Sequence, residues 1–574
     1  MEEVRPSRGI IRFGCFELDF RASELRKQGT KIKLQEQPFQ ILQVLLQRPG
    51  ETVTREELQQ KIWPSDTFVD FDHGLYNAIK RLREALGDSA ETPRFVETLS
   101  RRGYRFIGKI ECDAPRMRSL AVLPLENLSH DPQQEYFAEG LTEALITTLA
   151  KIGELRVVSR TSAMHYRGVH KPLHEIAREL EVDAIVEGTV LRAGHRVRIT
   201  AQLIDASKET HLWAESYERD LRNVLALQAE VAQAIAREVR VKLTPQEQAH
   251  FAQAHPVDPQ AYEAYLQGRY YWNRRSGEEL PRAIQYFQQA IAKDPTYAAA
   301  YSGLADCLCG LGVWAFASPQ EGCDKGKRLA LQAVELDRSL AEAHASLAWP
   351  TMWYDYDFLA AEREFERSLD LNPRYANAHH WFGLYLGLMG RYEEGYTELK
   401  RAIRLDPHSS FTYSTFGILH FFSRRYDQAI EQLEKALDLD PSLAQAHCVL
   451  GFAYLYKSMH EPAITAVRKS VQLAHGALFF VARLGEAYAA AGYRDEAQKI
   501  LKQLQELSKQ RYVTPYLVSA TYAALGNKDE ALRWLETGYR ERAALMVCLK
   551  TEPRFDDLRS DPRFQDLMQR MNFP

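Results

Sequence analysis

Residues 75–86 read LYNAIKRLREAL. Leu75, Ile79, Leu82 and Leu86 recur at helical spacing and form one apolar stripe, whereas Asn77, Lys80, Arg81 and Glu84 fall on the opposite side. One face packs and the other is left to touch something charged. A second basic cluster, Arg101, Arg102 and Arg105 around Gly103 and Tyr104, follows a turn-rich connection between two short β-prone runs. Alone, the helix reads as an ordinary amphipathic helix with a solvated charged face. Its neighbours decide otherwise.

Upstream, residues 11–34 alternate apolar and polar types in the runs IRFGCFELDF, ELRKQ and KIKL, with Gly29 and Thr30 as a turn. This predicts a small antiparallel sheet. QEQPFQILQVLLQ predicts a helix with Phe39, Leu42, Leu45 and Leu46 inward, and TREELQQKIW a second helix opened by Thr54 and Glu57 in a capping-box pattern. Pro49 with Gly50, and then Pro64, stop them. The loop SDTFVDFDHG leads to the helix quoted above, and FVETLSRRGYRFIGKI closes the region as a hairpin with Tyr104, like Trp63, read as a core aromatic.

With that sheet, the AIKRLREALGD helix and the RRGYRF hairpin, residues 10–111 resemble the OmpR/PhoB-type winged-helix DNA-binding domain. The resemblance implies a helix in the major groove and a wing in the adjoining minor groove or on the backbone, with double-stranded promoter DNA as the partner. Carried over, Asn77, Lys80, Arg81 and Arg83 would face bases and phosphates, and Arg101, Arg102 and Arg105 would touch DNA through the wing. Guanidinium groups suit phosphates and guanine edges, and Asn suits adenine. Arg83 lies on the flank of the apolar stripe, so an intramolecular salt bridge is its alternative use. About ten residues precede the first strand, so a phosphoacceptor receiver is not expected and neither is control by aspartyl phosphorylation in cis. The order resembles the CadC/ToxR-like regulators, except that the polar ECDAPRMRS stands where those carry a membrane helix.

From residue 118 strand and helix signals alternate: SLAVLPLEN, EYFAEGLTEALITTLAKIG, LRVVSR, LHEIARELEV, then three successive strands in DAIVEGTVLRAG, HRVRITAQLIDAS and THLWAESYER, the first two joined at Ala193-Gly194-His195. Residues 118–220 are therefore a small α/β domain, and a helix within 221–258 links it onward. FAEGLTEAL, VDAIVEGTV, RITAQLIDA and HLWAESY resemble the TolB N-terminal/FlgO-like family, which implies an interaction or assembly role. Glu139 and Glu143, four apart on one helix, offer a carboxylate pair, but a solvated helix face is the expected reading. Ser129, His130 and Asp131 are neighbours in sequence and point apart, so no triad follows.

Beyond residue 259 a period takes over. Pro373, Pro407 and Pro441 are 34 apart, as are Gly383, Gly417, Gly451 and Gly485, and Ala429, Ala463, Ala497 and Ala531. Two antiparallel helices that approach closely forbid large side chains at such positions. The period resembles tetratricopeptide repeats: eight over residues 259–541, starting near 261, 298, 341, 376, 410, 444, 478 and 512, with 542–574 as a polar-faced C-terminal cap. The resemblance implies a superhelix whose concave face holds a protein or peptide, with Asn377, His380, Tyr413, His447 and Arg483 as candidate contacts. Trp272, Trp314, Trp349, Trp353 and Trp381 read mainly as core.

The fold class is thus multidomain α and α/β: winged helix, small α/β domain, all-α solenoid. A net charge of −4 and a pI near 6.5 give no global nucleic-acid signature, so DNA binding has to come from a local patch. Seven scattered cysteines read as reduced thiols, and no window approaches the ~20 apolar residues of a membrane span. No metal spacing, glycine-rich phosphate loop or activated nucleophile stands out, so neither a cofactor nor an enzyme is expected. The reading is a cytoplasmic bacterial-type transcriptional regulator that binds promoter DNA, engages RNA polymerase and is controlled through protein or peptide contacts of the repeats; homodimerisation is left open. The alternative is a signalling scaffold whose winged helix docks protein rather than DNA.

Overall fold

The computed structural model describes residues 10–19, 22–27, 30–63, 71–100, 102–111, 117–129, 131–169, 171–239, 241, 243–244, 257–274 and 279–574. The expected turn at Gly29, the stop at Pro64, and Arg101 lie outside the described residues. The chain divides into two units, 1–116 and 117–574.

In the first unit the alternating residues form strands β1 (Ile10–Phe13), β2 (Phe16–Asp19), β3 (Glu24–Lys27) and β4 (Thr30–Ile32), paired in sequence as an antiparallel meander. Helix α1 (Glu36–Gln47), strand β5 (Thr52–Thr54), helices α2 (Arg55–Ile62) and α3 (Phe71–Leu86), and a hairpin of β6 (Val96–Leu99) and β7 (Gly103–Phe106) follow. β7 pairs with both β5 and β6, and β8 (Ile110–Glu111) returns to β1. Phe13 and Phe16 meet Phe95 and Phe106 at ring-centroid distances of 5.1 to 5.6 Å, so the N-terminal sheet and the hairpin share one core. Each such aromatic pair contributes about 0.5–1.5 kcal/mol beyond the area it buries.

The second unit begins with β9 (Ser119–Val122), β10 (Glu126–Asn127), α4 (Glu135–Ala150), β11 (Arg156–Val157), α5 (Arg160–Met164) and α6 (Leu173–Leu180). Three long strands follow, β12 (Ala184–Ala193), β13 (Arg196–Asp205) and β14 (Thr210–Asp220), then α7 (Val224–Glu238). The sheet runs β11-β9-β12-β13-β14, parallel on the β9 side and antiparallel thereafter, with β10 alongside β12. Alternation along the strands sorts the two faces: Leu120, Val122, Ala184 and Val186 pack with α4 and α7, while Ala121 and Ile185 pack with α6. Here the structure departs from the sequence reading of 221–258 as a linker. Leu227, Val231 and Ile235 recur every four residues and, with Ala232 beside them, are buried in the α/β core, because the sheet face beside α4 needs a second cover. Residues 245–256 of that span lie outside the described residues.

Eight helix pairs then follow among the described residues, their first helices being Pro259–Arg274, Ala298–Val313, Ala341–Pro350, Ala376–Leu388, Ser410–Phe422, Ala444–Tyr456, Leu478–Ala490 and Pro515–Ala524. The periodic small residues sit where the two helices of a pair touch. A Cβ on Gly417 would lie 2.6 Å from Leu433, and one on Gly451 2.5 Å from Val467. Three histidines make the same contact in different repeats. One ring nitrogen of His344, His379 and His447 lies 3.1, 2.9 and 3.0 Å from the carbonyl six residues earlier, across the turn between repeats.

Glu139 and Glu143 are neither a catalytic pair nor a solvated face. α5 and the turn after it bring Arg160 (2.7 Å) and Arg167 to Glu139, and the first repeat helix, which α4 faces, brings Arg269 (2.6 Å) and Asn273 (2.8 Å) to Glu143, which Arg160 also meets at 3.2 Å. Burial opposes ionisation of Glu143, but Arg269 and Arg160 outweigh it and hold the carboxyl below its usual range. On the far side of the joint Ser162 donates to the buried Asp406 carboxylate at 2.8 Å, and Arg374 donates to the Gly153 carbonyl at 2.8 Å.

The C-terminal region goes beyond a polar cap. Ala543 to Leu549 are all buried, and two 3₁₀ turns, Ala544–Lys550 and Pro553–Leu558, lie along the face made by the first helices of the repeats. The Tyr356 hydroxyl donates to the Ala543 carbonyl at 2.9 Å, and Arg424 reaches the Thr551 carbonyl and both Asp556 carboxylate oxygens within 2.9 Å. Helix Pro562–Met571 then closes the last pair, with Phe564, Leu567 and Met571 inward. Where the segment meets the repeats, Glu486 and Glu552 are buried beside Arg483 and Arg554, with Arg554 2.8 Å from Glu486 and also paired to Glu552. Burial, opposed by Arg483, pushes Glu486 up to about 8 and Glu552 up to about 7. The folded chain therefore holds protons that the unfolded chain releases above about pH 4.3. This contribution to stability is full at low pH and is lost as the pH rises through 7 to 8. Melting temperatures are expected to fall from about pH 5.5 to about pH 8, and Glu486→Gln to flatten the slope; an equal slope in wild type and variant would assign it elsewhere.

Candidate nucleic-acid interface

The candidate interface is one face of the first unit, built on α3. Leu75, Ala78, Ile79, Leu82 and Leu86 of α3 are buried against the core that α1 supplies with Ile41, Leu42 and Leu45. α2 is fixed by the expected capping box: the Thr54 hydroxyl accepts from the Glu57 amide at 3.1 Å, and the Glu57 carboxylate accepts from the Thr54 amide at 3.0 Å. Trp63 packs edge-on to Phe71 at 5.3 Å and so ties the end of α2 to the start of α3.

α3 ends at Gly87, whose φ of +63° suits glycine, with the Asp88 amide donating to the Arg83 carbonyl at 2.9 Å. Asp88 then organises the hairpin, its carboxylate accepting from the amides of Ser89, Arg94, Phe95 and Val96 at 2.6 to 3.0 Å. Burial works against its charge, and these four donors overcome that and hold its carboxyl below the usual range. In the hairpin Gly103 has φ +148°, and a Cβ there would lie 2.0 Å from the Val53 carbonyl oxygen, so only glycine lets β7 lie this close to β5.

The predicted contact residues divide into two groups. Lys80 and Arg81 are exposed on α3, Arg81 next to Gln35, with Asn77 half-buried on the same helix. Arg102 is exposed in the hairpin turn. Arg83 and Arg105 are held within the protein. Arg83 donates to the Val96 carbonyl at 2.8 Å and the Thr98 hydroxyl at 2.7 Å, which braces α3 against β6, and Arg105 pairs with Glu97 across the hairpin at 2.5 Å. Tyr104 is buried, as expected of a core aromatic. The sequence reading passed over Tyr76, which is 65% exposed on α3. Its signal was available: it lies one residue past the apolar stripe, where a large ring has nothing to pack on.

Residues 29–106 match the family described as transcriptional regulatory protein, C terminal. The N-terminal unit is an OmpR/PhoB-type winged helix. Residues 116–234 match the HilA/YgeH-like transcriptional regulator second domain, which takes in the sheet and most of α7. Residues 376–409 and 424–457 match tetratricopeptide families. The transcriptional regulator HilA of Salmonella typhimurium is 24% identical over 390 residues, 67% of this chain and 68% of that protein. The cholera toxin transcriptional activator of Vibrio cholerae is 38% identical over 80 residues, 14% of this chain and 27% of that one. A Rhizobium meliloti protein whose description names an adenylate cyclase is 33% identical over 292 residues, and this chain spans about half (49%) of its length. The domains found are those of DNA-binding transcriptional regulators.

The repeat residues expected to face a partner are differently placed from that expectation. Asn377 lines a cavity between the repeats and the α/β domain, His380 is buried and Arg483 half-buried beside segment 543–558, and Tyr413 is partly buried. Among the described residues no three His, Cys, Asp or Glu side chains converge on a metal position, and no helix is long and apolar enough to cross a membrane.

Asp88→Ala leaves four amide donors without their acceptor and is expected to cost about 1–3 kcal/mol in urea unfolding of the winged helix. In the wild type this contribution is present above the unfolded carboxyl pKa and lost as the pH falls below about 4, so the gap between the two proteins should close in acid. A constant gap would place the effect outside the carboxylate.

Proposed function

We propose that this chain is a cytoplasmic DNA-binding transcriptional regulator that reads promoter DNA with α3 and the β6–β7 wing. The observation that carries this reading is the exposed set Tyr76, Lys80 and Arg81 on α3, next in the same unit to Arg102 in the wing turn. A helix ~10–12 Å across fits a major groove ~12 Å wide, so α3 presents Asn77, Lys80 and Arg81 to base edges and phosphates. Arg102 contacts the backbone or the adjoining minor groove, and Arg101 is assigned the same role from sequence. Arg83 and Arg105 act one step back, holding helix and wing at the spacing of the two grooves.

In this reading the α/β domain is the coupler and the repeats receive a protein signal. Partner binding alters self-association or frees the DNA-reading face, so that RNA polymerase is engaged. The chain acts as a binding protein and not as an enzyme.

The test is a salt titration of full-length protein on duplex promoter fragments. Affinity is expected to fall steeply between 50 and 200 mM salt, roughly 0.9 log unit per log unit of salt for each phosphate contact. Lys80→Ala with Arg102→Ala should shallow that slope by about two contacts. A flat salt response, or the same slope in the double variant, would turn the reading toward a scaffold whose winged helix docks protein.

A further inference from the structure

A cavity of about 660 Å³ lies between α4 and the inner face of the first four repeats. That is within the roughly 300–1,000 Å³ typical of small-molecule sites, and larger than the aromatic pocket of about 150 Å³ under segment 543–558. Its walls carry the rings of Tyr265, Tyr297 and Tyr375. Two carboxylates, Asp306 and Glu342, enter it from the first helices of consecutive repeats.

The charge of the lining is not balanced evenly. Arg269 and Arg160 are engaged by Glu143, Arg374 donates to the Gly153 carbonyl, and Lys151, the fourth cation of the lining, also has a partner. The buried Oε2 of Glu342 has no hydrogen-bond donor among the described residues. Burial holds the phenols of Tyr265 and Tyr375 well above the usual range; at Tyr265 the Arg269 cation opposes it and Glu143 adds to it, and at both rings the fields of Glu342 and Asp306 push the same way as burial. Both carboxylates therefore act on the same space as the rings. Aromatic faces beside a carboxylate that lacks a donor attract an ammonium group: a primary one supplies positive charge to the rings and an N–H to the oxygen, and a quaternary one supplies the charge alone.

We infer that this cavity binds a small organic cation, a primary or quaternary ammonium compound whose charge sits at Asp306 and Glu342 and whose body lies on the tyrosine rings. One wall belongs to the α/β domain and the other to the repeats, so the bound cation fastens the joint between them. Its use as an effector rests on the regulator reading above; the binding itself does not.

The experiment is calorimetric titration of the full chain with spermidine and with choline at low salt, with citrate as the anionic control and an oligolysine peptide as the macromolecular one. Saturable binding of either small cation at one site is expected, weakened at least tenfold by Glu342→Gln and by Asp306→Asn. Ala144→Phe, which fills the cavity from the α4 side without changing charge, should abolish it. A variant counts only if its melting curve remains cooperative, and in wild type the melting temperature should rise with ligand concentration. No saturable binding of either cation, binding unchanged in all folded variants, binding of citrate, or binding of oligolysine alone would each overturn the inference. Promoter-fragment binding measured with and without the cation is read separately, so a chain that binds the cation but not DNA refutes the regulator reading and leaves the site standing.

Discussion

Burying a charge inside a protein is tolerable only when a partner is held against it, and Glu143 imposes that condition on the second unit. Its carboxylate meets Arg269 from the first repeat, Arg160 from α5 and the amide of Asn273, which forces three elements distant in sequence into one arrangement. Two arginines share the carboxylate, and loss of both would leave an uncompensated buried ion at the joint. With Ser162 on Asp406 and Arg374 on Gly153 at the other end, the α/β domain and the repeats are one body. A displacement of the repeats is thereby carried into the α/β domain too.

The winged helix shows a comparable division of labour among like residues. Six of its candidate side chains are described, and chemical type does not sort them: Arg81 and Arg83 lie two residues apart on one helix. Arg83 points to the hairpin and is consumed by a carbonyl and a hydroxyl, while Arg81 remains on the exposed side. Arg102 and Arg105 differ in the same way, because Arg105 stands opposite Glu97 in the antiparallel register and Arg102 stands in the turn.

What the sequence shows well is what neighbours along the chain determine. The stripe on α3, the capping box at Thr54 and the 34-residue glycine period all record contacts within a helix, at its end, or between adjacent helices. What it conceals is set by distant partners. Nothing in VLALQAEVAQAIARE says that α7 covers a sheet rather than spanning a gap, and nothing around Glu139 announces that arginines from elsewhere will meet it. The run AALMVCLK was the one visible hint of the C-terminal segment, since seven nearly continuous apolar residues do not belong on a polar cap. The tyrosine-lined cavity left no trace in sequence, because its walls come from α4 and four different repeats.

That C-terminal segment changes how the repeats can respond to a partner. Under the proposed reading, a partner chain entering this face would have to displace a segment that its tether to the last repeat holds at a local concentration of typically ~mM. Apparent affinity is then the intrinsic affinity reduced by the fraction of time the groove stands vacant. The hydrogen bonds that Tyr356 and Arg424 make to the Ala543 and Thr551 carbonyls are among those such a partner would have to replace.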